Sequence, residues 1–252
     1  MRHRLACIVW ILVAVGVGGR FAAAETVGYW RFEEGSGSSI ADSSTHGNTG
    51  TLAGNAAFVS NVQYAEVLGQ ANVFSLLLDG SGDTATINDA ASLDVTTAFT
   101  VEAFVKRTGA DATFAGVVVK RNIVGNSPTY GLVFGSADGI RASAHVAVPG
   151  TIGTATSPLA LNTWFHVAGV YDGAALRLYV NGELKSSVAG SGSVQVSTQP
   201  VQFGTFGADF QGQIDEVRIS NVALAPAQFL RTLVFADGFA SGNTSAWSSV
   251  IP

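Results

Sequence analysis

Among 252 residues the chain has one cysteine, one methionine and six prolines, and only 12% of its side chains are charged. The cysteine is Cys7, ahead of most of the first apolar run, so no disulfide can staple the chain beyond it. Basic residues are scarcer than acidic ones, 13 against 18, and form no stripe. Such a surface repels phosphate backbones, which excludes nucleic acid as an expected partner. Past residue 24 no apolar run is long enough to span a bilayer as a helix. There is no G-x-S-x-G elbow, and His46, His145 and His166 lack a spacing such as H-E-x-x-H.

What the chain does have begins with a leader pattern. "MRHR" is a short basic head, "LACIVWILVAVGVGG" an apolar run, and Ala22 and Ala24 place small residues before Glu25. This is the pattern of a secretory signal peptide over residues 1–24, with the exported protein starting at Glu25. Removal of Arg2, Arg4 and Arg20 would leave 10 basic side chains against 18 acidic ones, a formal charge of −8. The expected destination is extracellular, with no membrane insertion once the signal is gone.

Thirty glycines and many short β-patterned runs point to an all-β chain. In "WFHVAGVYDGAALRLYVNGELKSSV", Trp164–Val188, Asp172-Gly173 turns the chain and Leu176, Leu178 and Val180 share one face. Asn181-Gly182 favours a type I′ hairpin because both residues tolerate positive φ. The segment reads as a three-strand meander. About twelve such strands imply two packed antiparallel sheets, and the one expected helical turn is "APAQFLRTL", with Pro226 in its first turn.

The blocks "GYWRFEEGSGSSIADSSTHGNTGTL", "LLLDGSGDTATI", "AFTVEAFVKR", "WFHVAGVYDGAALRLYVNGEL" and "GQIDEVRISNVALAPAQF" carry a resemblance. In order and spacing they are similar to the laminin G-like jelly-roll domains, the concanavalin A-like lectin/glucanase sandwiches of secreted bacterial proteins. The resemblance implies a two-sheet antiparallel jelly-roll over residues 25–232. The chain departs from it at Thr45, His46 and Thr49 in the first loop, and at Phe104, where many members have Trp. Residues 233–252 contain a stretch similar to "FxDGFExGxxSxW", with Ala240 in the Glu position, and are treated as an appendage.

Two readings compete for "DSSTHGNTG", Asp42–Gly50. Asp42, Asn48 and loop carbonyls offer hard oxygens of the kind calcium takes, but a second acid must come from elsewhere. The resemblance, which brings the first and last strands together, implies Asp215 as that donor. Strand alternation would then turn Asp215 and Glu216 to opposite faces. The other reading is an Asx-rich turn in which Asp42 accepts backbone hydrogen bonds.

Trp30 and Trp164 lie in apolar strands and are expected in the core, whereas Tyr130 and Phe206 beside glycine-rich loops are candidate platforms for a sugar ring. The "ExDxE" set of the sandwich glucanases is missing, and the adjacent acids Glu33-Glu34 and Asp215-Glu216 do not supply it. The expectation is a secreted, non-catalytic recognition module for glycan or an extracellular protein, with no organic cofactor and with structural calcium as one of the two readings of the first loop. The alternatives are an adhesive or structural surface component and, further off, a glycan hydrolase or lyase.

Overall fold

The computed structural model describes residues 25–109, 114–122, 127–135, 141–148, 150–154 and 158–230. The signal segment and the 233–252 appendage lie outside them. Two eight-stranded antiparallel sheets face each other as a sandwich. The first runs in order Glu183–Ala189, Ala175–Val180, Trp164–Tyr171, Phe99–Arg107, Gln211–Ser220, Ser75–Asp79 and Ala57–Val59, and Thr26–Trp30 also pairs with Gln211–Ser220. The second runs Gly150–Gly153, Ala142–Val148, Pro128–Phe134, Ala115–Arg121, Val201–Phe203, Thr84–Ile87, Gly50–Ala53 and Ser39–Ile40. A small hairpin, Glu66–Val67 with Gln70–Ala71, stands apart.

The expected meander is there, with Leu176, Leu178 and Val180 buried and Arg177 and Tyr179 on the other face. Asn181 and Gly182 have φ of 51° and 78°, the two positive values a type I′ turn needs. The helical turn near the C-terminus shrinks to a single 3₁₀ turn, Pro226–Gln228.

Alternate residues of the two sheets fill the space between them. Val101, Ala103, Val105 and Val167 of the first sheet join Val118, Tyr130, Leu132 and Ala144 of the second in one continuous core. The sheets approach tightly at Gly169, where a Cβ would lie 2.8 Å from Ala144 Cβ, so only glycine fits without a shift. Trp30 is fully buried against Phe203, and its indole N–H donates to the Asn48 carbonyl at 2.7 Å. The core is thereby tied to the loop that follows the first strand.

Both sheets also have an outer face, and they differ. That of the first sheet is roofed by residues 61–73 and 221–230: Val67 and Leu230 pack on Tyr29 and Phe104, while Leu224 and Phe229 pack on Ala168 and Val170. The Gly182 position tests the hairpin. No atom would crowd a Cβ there, so replacement by valine strains the backbone alone and is expected to cost about 1–2 kcal/mol. Denaturant unfolding of Gly182→Val reads the loss; an unchanged midpoint would contradict the turn assignment.

Candidate functional site

The polar side chains sort by sheet. Under the roof of the first sheet they form networks among the chain's own groups. Glu102, fully buried, accepts from Arg218 through Nε at 2.7 Å and also through Nη2, from His166 Nε2 at 2.8 Å, and from the Leu230 backbone N–H at 2.9 Å. Burial pushes this carboxyl up, but the His166 hydrogen bond, the charges of His166 and Arg218 and the Leu230 N–H hold it below the usual carboxylate range. Arg218 Nη2 also donates to the Gln228 carbonyl at 2.7 Å, fastening the C-terminal segment down.

A second network surrounds Glu216, which takes the Tyr29 hydroxyl and Arg31 Nε, the latter at 3.1 Å. Beside it Asp215 accepts from Asn72 Nδ2 at 2.9 Å. These neighbouring acids do not turn to opposite sides of the strand, as alternation alone requires. A bulge between Asp215 and Arg218, with Glu216 at φ 50°, inserts one residue and leaves both carboxylates on the roofed face.

The proposed calcium ligands occupy separate places. Asp42 Oδ1 accepts from the Tyr29 and Ser44 backbone N–H groups at 2.9 and 2.8 Å; Oδ2 accepts from Ser44 Oγ and the Asn48 N–H at 2.7 and 2.8 Å. The Asn48 amide donates to the Val27 carbonyl and to Ser92. Asp215 is buried against Asn72. Donors fill both oxygens of Asp42, whereas Asp215 is met at Oδ2 and its Oδ1 has no hydrogen-bond partner. No group of three or more His, Cys, Asp or Glu able to hold a metal gathers among the described residues. The loop has the hydrogen bonds of the Asx-rich turn.

The aromatic candidates separate too. Tyr130 is a correction: it points inward, with no exposed surface, its ring 5.4 Å from that of Phe99 and its hydroxyl donating to the Leu93 carbonyl. Inward alternation with Leu132 and Phe134 leaves it unable to meet a ligand. Phe206 lies on the outer face of the second sheet but is itself buried, 6% exposed, packed on Val119 and Val133 with Arg121 over its ring, so it offers a sugar no open platform.

That face has a different character. One transverse row crosses six of its strands in register: Thr51, Thr86, Gln202, Val119, Gly131 and His145. Thr51 is exposed, and Thr86, Gln202 and His145 are half-buried. Gly131, without a side chain, sits between Val119 and His145. The His145 ring lies 3.2 Å from Ser143 Oγ and edge-on to Phe114, and burial pushes its pKa down to about 4, which keeps it neutral near pH 7. Arg121 completes the face with its guanidinium carbon 5.1 Å from the Phe206 ring centre. The row holds hydroxyls, amide, imidazole and guanidinium but no carboxylate among its described residues. It can donate and accept hydrogen bonds and present an aromatic edge, which is the equipment of recognition.

The family model described as the concanavalin A-like lectin/glucanases superfamily matches residues 79–229, more than half of the chain, and the chain belongs to that superfamily. No curated protein sequence matches it. Among solved structures it is similar to domain 4 of AbnA, a GH43 extracellular arabinanase from Geobacillus stearothermophilus, in complex with arabinotriose. The TM-score is 0.59 at 19% identity, over 81% of this chain and 96% of that one. It is also similar to the binding domain of Paraclostridial Mosquitocidal Protein 1, with TM-score 0.63 and 14% identity over 81% of this chain and 50% of that one. A third likeness is to Trypanosoma rangeli sialidase in complex with the inhibitor DANA, with TM-score 0.56 and 18% identity over 79% of this chain and 31% of that one. The chain spans half of the toxin domain and a third of the sialidase, and at these identities the likeness is one of fold.

Two outcomes follow from the acids. Asp42→Ala leaves the Tyr29, Ser44 and Asn48 N–H groups without their acceptor and is expected to cost about 2–3 kcal/mol. The loss should be equal in calcium and in EDTA; a calcium-dependent melting point that vanishes in the variant would restore the cation. Burial, with repulsion from Glu216 and Glu33, raises the Asp215 pKa to about 8 against an unfolded value near ~3.9. A raised folded pKa stabilises at low pH and the benefit is lost as pH climbs from about 4 to about 8. Asp215→Asn should therefore gain on the parent as pH rises through that window. Parallel melting curves for the two proteins from pH 4 to pH 9 would refute the buried, protonated acid.

Proposed function

We propose that this domain is a secreted module that recognises carbohydrate without cleaving it, through the outer face of the second sheet. The observation that carries the reading is the asymmetry of the two faces. The first sheet commits Glu102, Asp215 and Glu216 to bonds beneath a roof of the chain's own segments. The second presents the polar row from Thr51 to His145 with half-buried Gln202 and Arg121 beside it. Domain 4 of the arabinanase supports the ligand class, since a domain of this fold and nearly this extent is in complex with arabinotriose. Hydrolysis of the two-carboxylate kind needs a pair of acids flanking the bond, ~5–9.5 Å apart. The acids of the first sheet are spent on the chain's own groups, which supports binding over cleavage.

A glycan array followed by calorimetry on the best ligand tests this, with arabino-oligosaccharides included. The expected outcome is saturable binding with no new reducing ends after prolonged incubation. Release of reducing ends would overturn the non-catalytic half of the reading, and an array without any bound glycan would overturn the carbohydrate half.

A further inference from the structure

We infer that Arg121 is a subsite for a sugar carboxylate, so that the saccharide bound by this face is an acidic one, of the uronate or sialate chemical type. The inference rests on the carbohydrate reading above and adds the charge of the ligand.

Arg121 closes the Ala115–Arg121 strand, on the same face as Val119 and diagonal to Gln202. Its head is fastened from three sides. Nε donates to Gln202 Oε1 at 2.9 Å, Nη2 reaches the Phe206 carbonyl at 3.4 Å, and the plane lies over the Phe206 ring. The backbone beneath is fixed as well, since the Arg121 carbonyl accepts from Thr129 Oγ1 at 3.2 Å. A guanidinium has five N–H donors, and here both on Nη1 make no bond with the described residues. The residue is half-buried.

The ordinary role of such a residue is to pack its stem on an aromatic ring and leave the charge to water. Two observations favour a built site. First, Arg31, Lys120, Arg177, Lys185 and Arg218 each lie against a carboxylate, whereas among the described residues Arg121, like the more exposed Lys106, has none. In a chain with 18 acids and 13 bases, local neutralisation was available and is not used at this position. Second, the anchoring bonds go to neutral oxygens, which orient the fork without discharging it. An oriented, partly desolvated guanidinium is matched best by a planar anion, through paired charge-assisted hydrogen bonds. The Thr51 and Thr86 hydroxyls, on the far side of Gln202 in the same row, suit the neighbouring sugar hydroxyls.

The test uses the full exported chain with oligogalacturonate, oligoalginate and sialyllactose, each beside its carboxyl-reduced neutral form, and with polyglutamate as a control for charge alone. The parent should bind at least one acidic probe tenfold or more tighter than its reduced form, with affinity falling as salt rises. Arg121→Gln should erase that difference, read as the ratio of acidic to neutral affinity within the variant; Arg121→Lys, which keeps the charge without the fork, should retain only part of it. Circular dichroism and melting of both variants guard against misfolding, and either one suffices for the comparison. Equal affinity for acidic and reduced forms, a preference that survives in Arg121→Gln, or polyglutamate binding as tightly as the best sugar would each overturn the subsite. If neutral glycans bind while acidic ones gain nothing, the carbohydrate reading stands and only the charge assignment falls. If no sugar of either kind binds, both fall.

Discussion

Everything on the roofed side of the sandwich depends on one buried charge. Glu102 sits on the middle strand of the first sheet, opposite Ala168 on one neighbour and Arg218 on the other. Its two oxygens gather a guanidinium, an imidazole and a backbone N–H from residue 230. A carboxylate so far from water is tolerable only when each lone pair is met, and removing one partner of such a set typically costs about 3–5 kcal/mol. The network therefore acts as a condition on the whole arrangement: strand register, the His166 rotamer and the seat of the C-terminal segment must all be right together. In the described domain, which has no cysteine, this network joins other long-range ties between distant parts of the chain, such as the Glu216 cluster and the pairing of the first strand with the last.

The roof is also what makes the two sheets unequal. Segments 61–73 and 221–230 bury Phe104, Ala168 and Val170, which on an uncovered sheet would be an apolar patch. Their own polar groups are met by side chains below them, as when Glu33 accepts from the Val73 and Phe74 N–H groups and Asn72 bridges Asp215 to the Tyr64 carbonyl. A surface closed in this way keeps most of its polar groups bonded to the chain itself, and the acceptors left over, such as Asp215 Oδ1 and Asn72 Oδ1, are buried.

Much of the first level of structure was legible from residue pattern, and the losses have specific physical causes. The Asn181-Gly182 hairpin could be read because its signal is local: two adjacent residues that tolerate positive φ, flanked by alternating strands. Trp30 could be placed in the core because its whole strand is apolar. Tyr130 was misplaced because "YGLVFGS" is apolar on both faces, and period two cannot say which face is inner when both are buried. Asp215 and Glu216 were set on opposite sides because a bulge has no composition of its own; its mark is the φ of Glu216, a backbone angle. The Asp42 loop was ambiguous for a deeper reason. An Asx turn and an oxygen cage are written with the same residues, and only the direction of the N–H groups separates them. Arg121 gave no sequence signal, since its partners are 81 and 85 residues away.

On the reading proposed above, recognition falls to the second sheet for a physical reason. A chain without disulfides gains stability by folding its own segments over a sheet, and every hydrogen bond made there is withdrawn from use with a partner. Stability and binding thus compete for the same polar groups on any one face. This sandwich separates them: Glu102 and Glu216 with their cations are consumed under the roof, while Thr86, Gln202 and Arg121 stay half-open on the opposite sheet. On that sheet Phe206 covers Val119 and Val133, so the apolar floor is sealed by the protein itself. What is left for a partner is a polar surface fixed in position by strand register, and such a surface discriminates by hydrogen-bond geometry and charge more than by apolar burial. A hydroxyl-rich ligand with a flat anionic group meets those terms; an apolar one does not.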